Sequence, residues 1–234
     1  MYLYGASGHA KVIIDILKSR HIVIEGLYDD NPEIKSLLEY PVLAPDIVKG
    51  PLIISIGKNQ IRYEIAQKWP VEYGRAIHSS AIVSEYGLVG EGSVVMQGAI
   101  IQSEAQIGRH CIINTGTSID HECRVGDYVH VSPHSTLCGG VEVAEGSWIG
   151  AGTIVLPGVK IGKWSVIGAG SVVSKNIPDG PMQTRESAKK ARSAYCARLC
   201  DARGATVKHG LHIAPGPLGV KEFCAVWRLR RRSL

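Results

Sequence analysis

The residues best suited to chemistry lie in the run Asp120-His121-Glu122-Cys123. A neutral imidazole near pH 7 takes a proton from an attacking amine or hydroxyl. A carboxylate at the other ring nitrogen fixes the tautomer and steadies the imidazolium, and either Asp120 or Glu122 can serve. Asn114, His130 and His134 add polar groups within two dozen residues, whereas His78 and His110 have no such company. A second polar set gathers near the start, in Gly5-Ala6-Ser7-Gly8-His9, Asp29-Asp30-Asn31 and Gly57-Lys58-Asn59. A glycine turn that opens a helix suits phosphate, because free backbone N–H groups and the helix dipole meet there. The spacing lacks the third glycine of a dinucleotide fingerprint.

The elements that must position these residues announce themselves by a repeat. From Ile77 to Val173, every sixth residue is Ile, Val or Leu, 17 positions without an insertion. A second series, four residues after each, holds small side chains such as Ala99, Cys111, Ser135 and Thr153. Helices repeat near 3.6 and exposed strands near 2, so neither yields six. The pattern is that of a hexapeptide β-helix, with a branched residue pointing inward and a small one at each bend. Glycine often follows the branched residue, as at Val89-Gly90 and Ile149-Gly150, and is read here as supplying backbone angles other residues resist. Three hexads make one triangular coil, so residues 77–180 hold a little over five coils, wound left-handed against the usual crossover rule. In 18-residue coils His121 stacks between Ser103 and Gly139, whose small size leaves room above the imidazole. A backbone N–H near Gly139 is then placed to steady an oxyanion.

Residues 1–76 read as strand, turn and helix in alternation: Met1–Tyr4, a helix bearing Val12, Ile13, Ile16 and Leu17, then Val23–Tyr28, Leu52–Ile56 and a helix near Gln60–Lys68. This implies a small Rossmann-like α/β domain with its ligand cleft at the carboxyl ends of the strands. Residues 181–234 lose the hexad and hold 12 Lys and Arg against 3 Asp and Glu, while the first 180 residues hold 14 against 18. The net charge of +5 therefore belongs to the tail, and a nucleic-acid partner is not expected. The six cysteines show no paired zinc spacing and are expected reduced. No apolar run reaches membrane-spanning length and no cleavable leader opens the chain, so no membrane insertion and a cytoplasmic location are expected. A helix near Glu186–Leu199 is expected to cap the open end of the coil.

Across residues 1–180 the chain resembles the hexapeptide-repeat sugar acyltransferases, most closely the group of UDP-N-acetylbacillosamine N-acetyltransferase and the sialic acid O-acetyltransferases. The residues that carry the resemblance are Tyr4-Gly5-Ala6-Ser7-Gly8-His9, Asp29-Asp30, Ile56-Gly57-Lys58-Asn59, Asn114, Asp120-His121-Glu122-Cys123 and Tyr128-Val129-His130-Val131-Ser132. The resemblance implies an acetyl-CoA-dependent N-acetyltransferase of a UDP-linked amino sugar in bacterial glycan precursor synthesis, or an O-acetyltransferase of a sialic acid or other sugar. It implies a homotrimer with acetyl-CoA lying along the β-helix between subunits. It makes His121 the catalytic base and Glu122 its partner. It places the nucleotide sugar on Ser7, Gly8, His9, Asp29, Asp30, Gly57 and Asn59, and acetyl-CoA near Asn114, His130, Gly139, Gly150 and Gly168. The tail departs from the family, in which the coil ends in a Gly-x-Pro-Ala-Lys turn; only Ala188-Lys189 of that turn is present.

Two rivals use the same fold. A zinc-dependent hydratase would draw ligands from His121, His130, His134 and Cys138, but leaves the α/β domain without a purpose, so no metal is expected. A non-catalytic scaffold has no use for His121 and its acidic neighbours.

Overall fold

Branched residues six apart wind the chain into a prism. A computed structural model describes residues 1–180, and from Ala76–Ile77 to Val172–Val173 they form a parallel β-helix of two-residue strands. The strands make three sheets of six, five and six. Each pairs with the strand 18 residues on, as Ile113 with Val131 and Ile119 with Leu137. From Val95 to Val173 every member of the aliphatic series is buried. Each such side chain contributes about 1.5–3 kcal/mol on burial.

The second series is small for space but polar for a further reason. From Ser93 to Thr153 each hydroxyl or thiol reaches a carbonyl 15 residues ahead, on the next coil: Ser93 donates to Gly108 at 2.8 Å, Ser135 to Gly150 at 2.9 Å and Ser147 to Gly162 at 2.6 Å. Cys111 donates its thiol to Gly126 at 3.0 Å. These bonds satisfy corner carbonyls that the sheets leave free. Cys111, Cys123 and Cys138 are free thiols; Cys196, Cys200, Cys224 and the expected capping helix lie outside the described residues.

Glycine works differently from the expectation. Gly90, after the branched residue, is not left-handed. A Cβ there would lie 2.5 Å from the Gly108 carbonyl oxygen of the next coil, so close stacking excludes a side chain. The left-handed residue stands two positions later. From Gly92 to Gly170 every sixth residue has positive φ, 14 in all, of which eight are glycine. The other six are Glu104, His110, Glu122, Tyr128, His134 and Trp164. Each endures a conformation that costs an L-residue roughly 1–2 kcal/mol.

Outward-facing residues define three faces. The first carries Ala76, Val94, Ile112, His130, Trp148 and Val166 in register; it seats the α/β domain. The second carries Ile82, Ile100, Ser118, Thr136, Ile154 and Val172. The third carries Leu88, Gln106, Arg124, Glu142 and Lys160, with Lys160 Nζ 2.9 Å from Glu142 Oε1.

The α/β domain is a five-stranded sheet of β1 (Tyr2–Tyr4), β2 (Gly26–Tyr28), β3 (Ser36–Leu37), β4 (Tyr40–Leu43) and β5 (Leu52–Ile54), with α1 (Gly8–Ser19) and α2 (Asn59–Lys68). The order is β3-β4-β2-β1-β5, parallel except for the short β3–β4 hairpin. That hairpin was not expected; two- and four-residue strands around a turn carry too little pattern to read. Helix α1 is apolar on two sides because it is sandwiched. Its Ala10, Ile13, Ile14, Ile16 and Leu17 share one buried cluster with Leu3, Leu27 and Ile53 of the sheet and with Ala76, Val94 and Ile112 of the first face.

Helix α2 seats on the corner that enters the first face, and Arg62 is the fastener. Its side chain is 1% exposed. Nε donates to the His110 carbonyl at 3.0 Å; Nη1 donates to Ile56 and Gly57 at 3.1 and 2.9 Å; Nη2 donates to Asn59 Oδ1 and Tyr128 at 3.0 and 2.9 Å. All five guanidinium hydrogens are thus matched without a carboxylate. Asn59 Nδ2 adds bonds to Gly146 and Ser147 at 2.9 and 3.1 Å. The aromatic corner completes the seat. The His110 ring stacks on Tyr128 at 5.1 Å and meets Tyr73 edge-on at 4.5 Å, and Tyr63 of α2 meets Tyr128 and Trp164 edge-on. Three of the six strained left-handed residues, His110, Tyr128 and Trp164, are therefore those that hold the α/β domain.

Three imidazoles are sealed in or beside this seam. Burial, with the Arg62 charge adding to it, lowers His9 to about 4. Burial and then Arg109 lower His110 to about 4, against Asp127. Burial, Arg62 and His9 lower His130 to about 3, against the Gly57 carbonyl. All three are neutral when folded at pH 7, and below pH 6.5 the unfolded chain binds protons that the folded chain refuses. Stability should therefore hold above about pH 6.5 and fall steeply between about 6.5 and 4. Urea midpoints measured across that range check this, and His110→Phe should reduce the slope by about one proton. A midpoint unchanged from pH 7 to 4.5 would contradict it.

Candidate functional site

The first polar cluster forms where β1, β2 and β5 end. Gly5, at φ 105°, packs against Ile56 and turns the chain into α1. Ser55 Oγ donates to the Tyr4 and Gly5 carbonyls at 2.8 and 2.6 Å, fixing the turn from below. Asp29 accepts from the Ala6 and Asn31 backbone amides at 2.7 and 2.9 Å, so it shapes the loop with both oxygens. Tyr4 donates its hydroxyl to Asp30 at 2.9 Å; burial, and then Asp30, push the phenol up to about 12. Ser7 caps α1 with an extended backbone but no side-chain hydrogen bond. The first-turn amides of Gly8 and His9 therefore face an exposed surface, a setting that suits a phosphate group. His9 lies behind them with Nε2 buried and unpartnered. Gly57 offers its carbonyl to Arg62, and Asn59, expected among the sugar-nucleotide ligands, instead has its side chain bound to Arg62 and the β-helix.

The second cluster continues from the first onto the seat face. His130 is the residue that the family resemblance places toward acetyl-CoA. It lies on the strand His130–Val131, 8% exposed. Asn114 Nδ2 lies 3.1 Å from its Nε2, and as Asn114 Oδ1 accepts the Thr115 amide at 2.8 Å, the amide nitrogen donates and Nδ1 carries the imidazole proton. The ring stacks on Trp148 at 5.6 Å and 4°. Trp148 Nε1 donates to Ser132 Oγ at 2.8 Å. Gly150 and Gly168 occupy the corner that leaves this face, beside Asn114 and the exposed His134. Sequence reasoning passed over Trp148 and Arg62. An isolated tryptophan and a lone arginine on a surface helix carry no signal until the fold gives them neighbours.

The third cluster stands on the corner between the second and third faces, opposite the seat. Asp120 Oδ1 accepts the His121 backbone amide at 2.8 Å, and Glu122 Oε2 lies 3.2 Å from His121 Nδ1. Of the two carboxylates, Glu122 is the one that reaches the ring. Nδ1 then carries the proton and Nε2 is the free base. A Cβ on Gly139 would lie 2.6 Å from His121 Cε1, so only glycine lets the imidazole lie across that coil. Glu122 holds its reach from a left-handed backbone at φ 59°, and both side chains are exposed. His134 and Cys138 do not join His121 or His130. Among the described residues no three His, Cys, Asp or Glu side chains converge for a metal, and no helix is long and apolar enough to cross a membrane.

Comparison with known proteins agrees with this division. Residues 1–69 match the PglD N-terminal domain and residues 140–175 the bacterial transferase hexapeptide (six repeats). The fold superposes on a histidine-to-asparagine variant of perosamine N-acetyltransferase from Caulobacter crescentus, solved with CoA and GDP-perosamine. The TM-score is 0.72 at 35% identity, covering 76% of this chain and 90% of that one. It also superposes on the acetyltransferase domain of PglB from Neisseria gonorrhoeae, with TM-score 0.72, 29% identity and 78% and 94% coverage. UDP-N-acetylbacillosamine N-acetyltransferase from Bacillus subtilis is 39% identical over 110 residues, 40% of this chain and 50% of that protein. The chain spans a fifth to a half of the length of the curated relatives it matches. With both domains matched and a relative 35% identical covered over 90% of its length, the chain belongs to the hexapeptide-repeat sugar acyltransferases.

Proposed function

We propose that the protein is an acetyl-CoA-dependent N-acetyltransferase of a nucleotide-linked amino sugar, with a UDP-sugar of the bacillosamine type as the acceptor. The nucleotide diphosphate sits at the start of α1, on Ser7, Gly8 and His9, with Asp29 and Asp30 shaping the loop. His121 is the base: Nε2 removes the proton from the amine as it attacks the thioester carbonyl, and Glu122 steadies the imidazolium. The oxyanion meets backbone N–H near Gly139, the C–S bond breaks, and the CoA thiol leaves with the proton.

The observation that carries this reading is the His121–Glu122 contact at 3.2 Å on the corner opposite the seated α/β domain. One subunit cannot bring its own nucleotide loop to its own base. In a cyclic trimer the base corner of one subunit meets the seat face and leaving corner of the next, which carry Asn114, His130, Gly150 and Gly168 for acetyl-CoA. That closure also removes water from a base that is exposed in a single chain. An amine acceptor is favoured over a hydroxyl because the relatives are N-acetyltransferases by name. The Bacillus relative, named for a UDP-sugar, supports the UDP-linked acceptor, and the Caulobacter relative, solved with GDP-perosamine, makes a GDP-sugar the rival to test.

Thiol release from acetyl-CoA, measured with UDP-, GDP- and CMP-linked amino and hydroxy sugars, tests the reading. A UDP-amino-sugar should give the highest kcat/KM, and preference for a hydroxyl acceptor would contradict it. His121→Ala should fold and assemble normally yet lose about 10²–10⁴-fold in kcat. Glu122→Gly relieves a left-handed residue, so its urea midpoint should stay level or rise while kcat falls by about tenfold or more. Both activity and stability falling together in Glu122→Gly would mean that the side chain is structural.

A further inference from the structure

Trp148 is the one large aromatic of the seat face that the α/β domain leaves uncovered. It is 43% exposed, yet its orientation is fixed on two sides. One face lies parallel to the His130 ring at 5.6 Å, and Nε1 is held by Ser132 Oγ at 2.8 Å. On the next coil its partner in register is Val166, a side chain too short to cover an indole and itself 39% exposed. The second face of the ring is therefore rigid, apolar and open. Nothing in the packing of the described residues calls for this open face.

The surroundings name the ligand. Asn59 binds the carbonyls of Gly146 and Ser147, so the Gly57–Asn59 loop at the mouth of the nucleotide pocket ends immediately beside Trp148. His130, behind the indole, is in the electrostatic range of His9, which backs the phosphate end of the same pocket. A hexose hanging from a diphosphate at the start of α1 must cross this surface to reach a neighbouring subunit's base. Pyranose rings present a patch of C–H groups that rests on aromatic faces, with polar groups left to hydrogen-bond at the rim.

We propose that Trp148 is a positioning residue for the acceptor sugar: its open indole face receives the apolar C–H face of the hexose and aims the amine at His121 of the next subunit. This rests on the nucleotide-sugar reading above. It acts on the sugar alone, because the nucleotide is held at the start of α1 and the open indole face points away from His130, where acetyl-CoA is placed.

Full-length protein and its Trp148→Ala and Trp148→Phe variants test it, with steady-state kinetics and binding of the free nucleoside diphosphate. Trp148→Ala should raise KM for the nucleotide sugar about tenfold, leave KM for acetyl-CoA and the Kd for the nucleoside diphosphate unchanged, and keep its oligomeric state. Trp148→Phe should recover most of the loss. Tryptophan fluorescence should change with the nucleotide sugar but not with the nucleoside diphosphate, and that difference should vanish in Trp148→Phe. An unchanged KM for the sugar, a rise in KM for acetyl-CoA instead, or a variant that dissociates would each overturn the assignment. Absence of thiol release by the unaltered protein with every sugar would overturn the functional reading and this proposal with it.

Discussion

A buried guanidinium that uses all five of its hydrogens on carbonyls fixes the geometry from which the rest follows. Burial lowers Arg62 to about 10, still well above neutral pH, so the cation is retained inside the protein. Its desolvation is costly, and only the convergence of Ile56, Gly57, His110, Asn59 and Tyr128 offsets it. These acceptors come from the nucleotide loop, from α2 and from two successive coils. The match is possible in one relative placement of domain and β-helix, and that placement sets the nucleotide loop over the first face.

Geometry then divides the chemistry. The seat face and its flanking corners carry Asn114, His130 and Trp148 beside His9 of the seated domain, while His121 and Glu122 stand on the corner across the prism. A site split in this way calls for an assembly, and the proposed threefold ring of prisms would supply each cleft with both halves. The strained residues mark the same division. Where neither holding nor chemistry is asked of a corner, the left-handed position is mostly glycine. His110, Tyr128 and Trp164 are kept where α2 is held, and Glu122 where His121 is oriented.

Much of this was legible in the residues. A period of six allows one backbone path, so the β-helix, its inward series and the stacking of His121 against Gly139 could be read directly. The Asp120-His121-Glu122 run showed a histidine flanked by two carboxylates, although which of them reaches the ring needed the rotamers: Asp120 turns back to the His121 amide and Glu122 goes to the ring. What could not be read are contacts between elements far apart in the chain. Arg62 looks like a solvated charge on a helix until His110 and Tyr128 are brought beneath it. Asn59 looks like a ligand until Gly146 and Ser147 claim its amide. Gly90 and Gly92 differ in purpose, one for close approach and one for left-handed backbone, and composition alone assigns both to the latter.

The shared site is tested most directly by subunit complementation. One variant carries His121→Ala; the other carries Gly8→Trp, which blocks the start of α1. Each alone is expected to be inactive. Co-assembled in equal amounts, about a quarter of the clefts would pair an intact nucleotide loop with an intact base, so activity should return to roughly a quarter of the unaltered level. Activity no greater than the sum of the two separate variants would show that each chain holds a whole site of its own, and the division of chemistry across subunits would be wrong.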